Sequence, residues 1–508
     1  MQRFRLHALI AAAYLGTFLA TLDISIVNVA LPTLQEALQT NLGGLQWVVN
    51  AYAIALSALM LSAGPLGDKY GHKRMWVGSV VLFVVGSIVC ACATQLDSLL
   101  WGRTIQGVAG ALLIPGAMPI ITHAFPDPKQ RARAIGGWSA FSALALISGP
   151  LLGGLLIEHI GWESIFIVNV PLGILTILLG MWGIPERKHP EHAAFDPMGQ
   201  ILSILWLGML SYGLIEIGEY SASPKKVLLP FGIAAVAFSV FIWVELHVQR
   251  PLFPVELFRN RSLALANVAS FVLGFTGYAS LFFLSLFLQQ AQADSPALAG
   301  WHLMPQFVTT TAVSLLFGRL TARIPLKLLM VGGYSLIGLS MCMMLAFGPY
   351  TPYIVIGVDL ALLGLGMGLA VPATGMMVMN YAPPERAGIA SATMNALRQT
   401  GMTLGIAVLG SVMGISAIHD MTMAINASGV AGASDLAHRA VVNHVLPVGQ
   451  DWLSDIYRVA MASGFGLAML CAGLVGLLVA FLLLFFSTDL VTSHTNSVKK
   501  AVRKRGDL

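Results

Sequence analysis

Long apolar stretches alternate with short polar breaks along the whole chain. Most stretches hold about 20 mainly apolar residues, the length that an α-helix needs to cross the hydrocarbon core of a bilayer. We therefore predict an all-α integral membrane protein with fourteen transmembrane helices. The predicted spans lie at 8–31, 45–66, 75–95, 99–121, 135–158, 163–184, 198–218, 227–247, 262–290, 299–320, 326–346, 352–378, 388–416 and 456–486.

The composition agrees with a chain that lies in lipid. Only 10% of the residues are charged, against about 25% in soluble domains, and 57% are hydrophobic. The four cysteines all fall in apolar segments, so the sequence predicts neither a disulfide framework nor a metal site. The predicted spans hold no nucleophile–base pattern, so we do not expect an enzyme.

The basic residues are concentrated at the two termini and in every second loop. These segments hold 22 of the 28 lysines and arginines. By the positive-inside rule they face the cytoplasm, so we expect both termini there. This orientation explains the net charge of +5 without a nucleic-acid partner.

The chain also repeats itself at about half its length. Gly64 and Lys73 recur as Gly318 and Lys327 at a spacing of 254, and the pair 131–132 recurs 255 positions later. Parallel repeats of this kind indicate two related bundles with a substrate site between them. We predict six-helix halves at 1–190 and 262–487, two inserted helices at 191–261, a long outer loop at 417–455 and a basic cytoplasmic tail at 488–508.

Asp23 stands alone as an acid within the first apolar span. A charge near the bilayer centre costs about 2.5–3.5 kcal/mol on insertion scales, so such acids usually serve ion or proton movement. A hydrogen bond between helices is the alternative role. Arg103 cannot readily lose its proton, so we expect it to tune a neighbouring acid rather than carry protons, unless it reaches out to the interface. Arg398 lies too deep in its helix to do so and is predicted to face the cavity, beside Asp23 or an anionic part of the cargo.

Six other acids lie near predicted helix ends, where a carboxylate costs little free energy because it can reach water. For all of them we predict roles that face solvent. They are Glu158, Glu163, Glu216, Glu219, Glu245 and Asp359.

Four motifs resemble one transporter family. The loop from Gly64 through Asp68 and Gly71 to Arg74 matches a signature of the major facilitator superfamily, although a plain basic loop would also orient the chain. The segments at 22–32, 103–107 and 149–154 resemble motifs of its fourteen-helix drug/proton antiporters. The resemblance implies a proton-coupled multidrug exporter of amphipathic or cationic drugs and biocides in the bacterial cytoplasmic membrane. A dedicated exporter of one metabolite, lipid or siderophore is the alternative, and a membrane sensor without transport is a third possibility.

The resemblance also assigns roles to residues. The proton-coupling residues are Asp23 and Arg103, and the cavity residues are Asp23, Asn28, Gln106, Asn395 and Arg398. The conformational latch comprises Gly64, Asp68, Gly71, Lys73, Arg74 and Arg386, and the export-helix motif comprises Gly149, Pro150, Gly153 and Gly154. Close helix packing is the alternative role for the last four. We expect the proton motive force in place of a cofactor, no metal and a monomer, and the need for a periplasmic adaptor stays open.

Overall fold

A computed structural model describes residues 2–125, 127–186, 196–218, 224–248, 258–383, 386–430, 432–444 and 451–486. The first half holds α1 Gln2–Ala37, α2 Leu42–Met60, α3 Ala63–Tyr70, α4 His72–Ala91, α5 Leu96–Ala124, α6 Pro128–His159, α7 Ser164–Ile167 and α8 Asn169–Gly183. The insert holds α9 Pro197–Ile217 and α10 Pro224–His247. The second half holds α11 Arg261–Leu273, α12 Ser280–Leu286, α13 Pro296–His302, α14 Met304–Thr321, α15 Leu326–Met343, α16 Tyr353–Tyr381, α17 Ala387–Ala427, α18 Ala433–Asn443 and α19 Asp451–Phe486.

The all-helical membrane fold is confirmed, but the count of spans differs by one. Within the described ranges, 13 helical segments are long and apolar enough to cross a membrane. The segment predicted at 299–320 is not among them, because it is divided into two helices, α13 and α14. The 18 residues of α14 also include Gln306, Arg319 and several threonines, which lower its mean hydropathy.

Each half is a bundle built from neighbouring helices. In the first half α1 packs against α6 and α8, while α5 packs against α2 and α4. In the second half α15 and α16 pack together, with α14 against α16 and α19 against α15 and α17. The inserted helix α9 pairs with α10 and also contacts α2 and α17, so it lies against both halves. The predicted boundary at 190/191 and the tail at 488–508 lie outside the described residues.

The two halves join at one end of the bundle. We call the end where α1 begins the basic end, since it carries the loop at 69–74, and the opposite end the far end. At the far end, Gln289 Nε2 donates to the Val29 carbonyl at 2.9 Å, and Gln290 Nε2 donates to Gln35 Oε1 at 2.8 Å. These bonds link the second half to α1, so the far end is closed in this structure.

The predicted long loop at 417–455 is largely helical in its described part. Helix α17 continues to Ala427, and α18 follows after a short turn. Ala433, Ala437, Ala440 and Val441 are buried on one side of α18. This helical spacing gives α18 an apolar face, which packs against α17, α19 and α2.

Candidate functional site

Asp23 and Arg103 form an ion pair in the interior of the first half. Arg103 Nη1 lies 2.5 Å from Asp23 Oδ2, and the two side chains are 1% (Arg103) and 0% (Asp23) exposed. Helix α1 supplies the acid and α5 the base. The structure therefore brings together the two residues predicted to couple to protons, and it holds them away from solvent.

Three further side chains complete a polar cluster around this pair. Gln106, one turn after Arg103 on α5, donates from Nε2 to Asp23 Oδ1 at 3.0 Å and to Ser87 Oγ at 2.8 Å. Asn169 Nδ2 also donates to Asp23 Oδ1, at 3.2 Å. Every group that contacts the carboxylate is a donor, which is the environment of an ionised acid. We name Asp23, Arg103, Gln106, Ser87 and Asn169 the amino-terminal polar cluster.

Aromatic rings cover the guanidinium of Arg103. Its Cζ atom lies 4.6 Å from the ring centroid of Tyr52 and 6.0 Å from that of Phe166, within the range of cation–π attraction. Its Nε donates to the Val48 carbonyl at 3.1 Å. A Cβ on Gly107 would lie 2.4 Å from the Tyr52 carbonyl oxygen, so this glycine lets α5 and α2 approach closely.

The burial of the cluster corrects part of the predicted cavity. Asp23 and Gln106 were expected to line the space between the halves, yet both are 0% exposed inside the first half. Asn28, also predicted there, is 6% exposed and its Nδ2 donates to the Ile24 carbonyl of its own helix. Sequence reasoning missed Ser87 and Asn169, whose only signal was a polar side chain inside an apolar span.

Arg398 belongs to a separate cluster in the second half. Its Nη2 donates to Asn395 Oδ1, and its guanidinium lies 5.3 Å from the ring centroid of Tyr278. Tyr278 ends a π-helical turn, Gly274–Tyr278, and such turns often occur at functional sites. Arg398 is partly exposed, so a cavity role stays open to it. The counter-ion of Asp23, however, is Arg103, and the predicted pairing of Asp23 with Arg398 is wrong for this conformation.

The latch motif packs onto the end of α8. Asp68 Oδ1 lies 3.0 Å from His72 Nε2 in the same motif. Lys73 Nζ donates to the Met181 carbonyl at 2.6 Å, and Arg74 Nε lies 3.5 Å from Glu186 Oε2.

Two glycines of the latch motif have different surroundings. Gly71 adopts φ 107°, and a Cβ there would lie 2.3 Å from Glu186 Oε1, so both conformation and space require glycine. Among the described residues, no atom lies within 4 Å of a Cβ on Gly64. Arg386 is exposed at the start of α17. Its pairing with Asp68 stays a prediction.

The glycines of the export-helix motif bring three helices into close contact. A Cβ on Gly149 would lie 1.9 Å from Ser25 Oγ, and one on Gly153 would lie 2.7 Å from Ile26 Cγ1, so both face α1 beside Asp23. A Cβ on Gly154 would lie 2.4 Å from the Pro296 carbonyl oxygen. The Pro150 carbonyl is approached in turn by Gly300. The motif thus joins the halves through α6 and α13.

A sequence profile described as the Major Facilitator Superfamily matches residues 13–406, which is most of the chain. The chain belongs to this superfamily. It is a multi-pass membrane transporter and not an enzyme. The resemblance drawn from the four motifs is therefore confirmed at the level of the family.

Several superfamily members are similar to this chain in sequence. The "Multidrug resistance protein Stp" of Mycobacterium tuberculosis (strain CDC 1551 / Oshkosh) is 36% identical over 81% of this chain and 76% of its own length. The "Tetracenomycin C resistance and export protein" of Streptomyces glaucescens is 30% identical over 93% and 90%. The "Riboflavin transporter RibZ" of Clostridioides difficile (strain 630) is 28% identical over 84% and 92%.

Solved structures support the superfamily fold. A crystal structure of the nucleoside transporter NupG superposes with a TM-score of 0.61 at 13% identity. The match covers 96% of this chain and 100% of that chain. At this identity the likeness shows the fold alone.

Proposed function

We propose that this protein is a proton-coupled multidrug efflux antiporter of the bacterial cytoplasmic membrane. It exports amphipathic or cationic drugs and biocides by alternating access, driven by the proton motive force. The observation that carries the proposal is the fully buried Asp23–Arg103 pair, because an acid that gains and loses a proton there changes the charge balance of the bundle core. Relatives named for drug resistance and export support the choice of cargo.

The orientation of the chain supports the direction of export. If the basic end faces the cytoplasm, as the positive-inside rule predicts, the closed far end is the outer end of the bundle. Cargo then enters from the cytoplasm, between the halves. Asn395 and Arg398, both partly exposed, are the polar groups that we assign to this path.

Asp23 couples the proton to the conformational change. In the closed-far-end conformation the carboxylate accepts hydrogen bonds from three donors. A proton bound from the outside neutralises the carboxylate and leaves Arg103 without its counter-ion. The packing of α1 against α5 and α8 then favours a different arrangement, and proton loss to the cytoplasm restores the pair. Because each conformation favours one protonation state, the proton gradient biases the conformational cycle.

Proton release from purified protein tests this coupling. Ethidium, a lipophilic monovalent cation, is added to weakly buffered protein that contains a pH indicator dye. We expect proton release from the wild type and its loss in Asp23→Asn, which keeps the shape of the side chain. The matched control is Asp97→Asn, an exposed acid at the start of α5. Release that persists in Asp23→Asn would exclude Asp23 as the carrier.

A dedicated exporter of one endogenous compound is the second candidate. The similarity to a protein named as a riboflavin transporter favours it, since the relatives of this chain include one named for a single vitamin. Drug-susceptibility profiles of cells that express the protein separate the two candidates. Resistance to several unrelated compounds supports multidrug export, and resistance to none supports a dedicated cargo.

A further inference from the structure

Asp359 is a buried acid in the second half, and its carboxyl group has no counter-ion among the residues that the structure describes. The residue is 2% exposed, and neither carboxyl oxygen has a hydrogen bond of normal geometry to a described residue. The Ser340 hydroxyl is close enough to interact with the carboxyl group, but it donates to the backbone carbonyl of Asp359. The sequence places it one or two turns from the end of α16, which led us to predict a solvent-facing role. That prediction is wrong, as it is for Glu245, which is 3% exposed. Glu219 lies outside the described residues.

An ionised carboxylate in this position would have no compensating charge. Burial of an unpaired charge is far more costly than burial of a neutral acid. The cations on the helices that pack against α16 are Arg261 on α11, Arg319 on α14, Lys327 on α15 and Arg398 on α17. The first three lie near the basic ends of their helices, whereas Asp359 lies near the far end. Arg398 lies over Tyr278.

The other titratable groups on these helices contact residues other than Asp359. Tyr334 donates to the Ala269 carbonyl, Cys342 approaches Gly473 on α19, and Asp420 accepts a hydrogen bond from Ser463. The remaining titratable group is His419, next to Asp420 on α17.

The position of Asp359 corresponds to a position next to the amino-terminal polar cluster in the other half. Helices α5 and α16 each contain 29 residues, and Gly102 and Asp359 are each the seventh residue. Gly86 and Ser340 are each the fifteenth residue of α4 and α15.

The two positions also make matching contacts. A Cβ on Gly86 would lie 3.0 Å from the Gly102 carbonyl oxygen, and Ser340 Oγ donates to the Asp359 carbonyl at 3.2 Å. Gly102 directly precedes Arg103. The internal repeat therefore puts Asp359 beside the place that corresponds to the buried ion pair.

We propose that Asp359 is a second proton-binding site, and that its carboxyl group is neutral in this conformation. The site takes a proton from the far side when that end of the bundle opens, converting a carboxylate into a carboxylic acid. Six residues separate it from the start of α16, a distance of about 9 Å along the helix axis. Its contribution to transport rests on the proposed function, but its protonation in this conformation does not.

Infrared difference spectroscopy of the full-length protein tests the site directly. A protonated carboxyl group gives a separate C=O stretching band that shifts in D₂O. At neutral pH we expect this band in the wild type and in Asp23→Asn, and its loss in Asp359→Asn. A band that persists in Asp359→Asn, or that is absent from the wild type, overturns the proposal. Asp359→Glu is the second variant, and we expect it to restore a titratable band.

A functional readout separates the proton site from a merely structural acid. We expect Asp359→Asn to reduce the number of protons released on ethidium addition and to change the pH dependence of transport, while Asp97→Asn changes neither. Unchanged proton release in Asp359→Asn contradicts a role in coupling. If the wild type releases no protons but shows the Asp359 band, the proposed antiport fails and the proton-binding site stands.

Discussion

The buried pair of Asp23 and Arg103 predicts a large coupling energy between the two residues. Asp23→Asn leaves the Arg103 guanidinium, 1% exposed, without a counter-ion. Arg103→Met leaves the Asp23 carboxylate with only the amides of Gln106 and Asn169 as donors. Removing one partner of a buried ion pair costs about 3–5 kcal/mol, so each single variant should be strongly destabilised.

The double variant should be less damaged than the two single changes predict. In the double variant, Asp23→Asn with Arg103→Met, both charges are absent. The new amide at position 23 therefore does not lie beside a buried cation. The remaining losses are the Arg103 contacts to the Val48 carbonyl at 3.1 Å, to Gln106 Oε1 at 2.7 Å and to the Tyr52 ring. Replacing a whole buried pair is often close to neutral. We therefore expect a coupling energy of at least about 3 kcal/mol, which is at least about a hundredfold in the unfolding equilibrium.

A double-mutant cycle measures this coupling. The wild type, both single variants and the double variant are unfolded with SDS in mixed micelles, and the tryptophan fluorescence is followed. Arg103→Lys is the matched control, because it keeps the charge but loses the planar group that contacts Asp23, Gln106 and Val48 together. Additive losses in the cycle would refute the ion pair as the organising contact of the amino-terminal polar cluster.

Two further predictions concern the contacts between helices and between halves. Gly149→Ala should destabilise the protein by about 1–3 kcal/mol, because its Cβ would meet Ser25 Oγ at 1.9 Å. Gly136→Ala on the same helix has open space and should be nearly neutral; equal losses in SDS unfolding contradict the packing argument. Burial lowers the pKa of His444 against a smaller opposing effect of Glu36, so the neutral form holds the closed far end. Closure of the far end should be complete above the usual histidine pKa and should weaken as the pH falls. Distances between spin labels across the far end measure this closure. If His444→Gln shows the same pH dependence, His444 is not the group that causes it.

The sequence predicted the charged residues of the site better than the neutral ones. A carboxylate and a guanidinium inside a membrane require partners, so their cost predicts that Asp23 pairs with a buried arginine. The cost does not choose between Arg103 and Arg398, and only the packing of α5 against α1 brings Arg103 to Asp23. Ser87 and Asn169 carry no such requirement. Hydroxyl and amide groups occur in many spans. Only the rotation of α4 and α8 about their axes brings Asn169 to Asp23 and Ser87 to Asn169.

Depth along a helix did not predict burial for Asp359. The residue is close to the end of its span, as the sequence indicated, but its side chain is on the side of α16 that is covered by neighbouring helices. The sequence of α14 alone is also an incomplete guide. The internal repeat predicts a membrane span there, but the mean hydropathy of α14 is too low for it to count among the 13 apolar spans. Packing against α16 stabilises that helix in place.

Each half buries an acid, Asp23 on α1 and Asp359 on α16, but the two acids have opposite surroundings. Asp23 accepts hydrogen bonds from three donors and has a full counter-charge. Among the described residues, Asp359 has no counter-charge and no hydrogen bond of normal geometry to its carboxyl group. The first environment stabilises the ionised form and the second stabilises the neutral form. The two environments are present together while the far end is closed. The protonation states of Asp23 and Asp359 are therefore set by separate surroundings. A conformational change that separates α1 from α5, or α15 from α16, would therefore alter the proton affinity of one half without requiring the same change in the other.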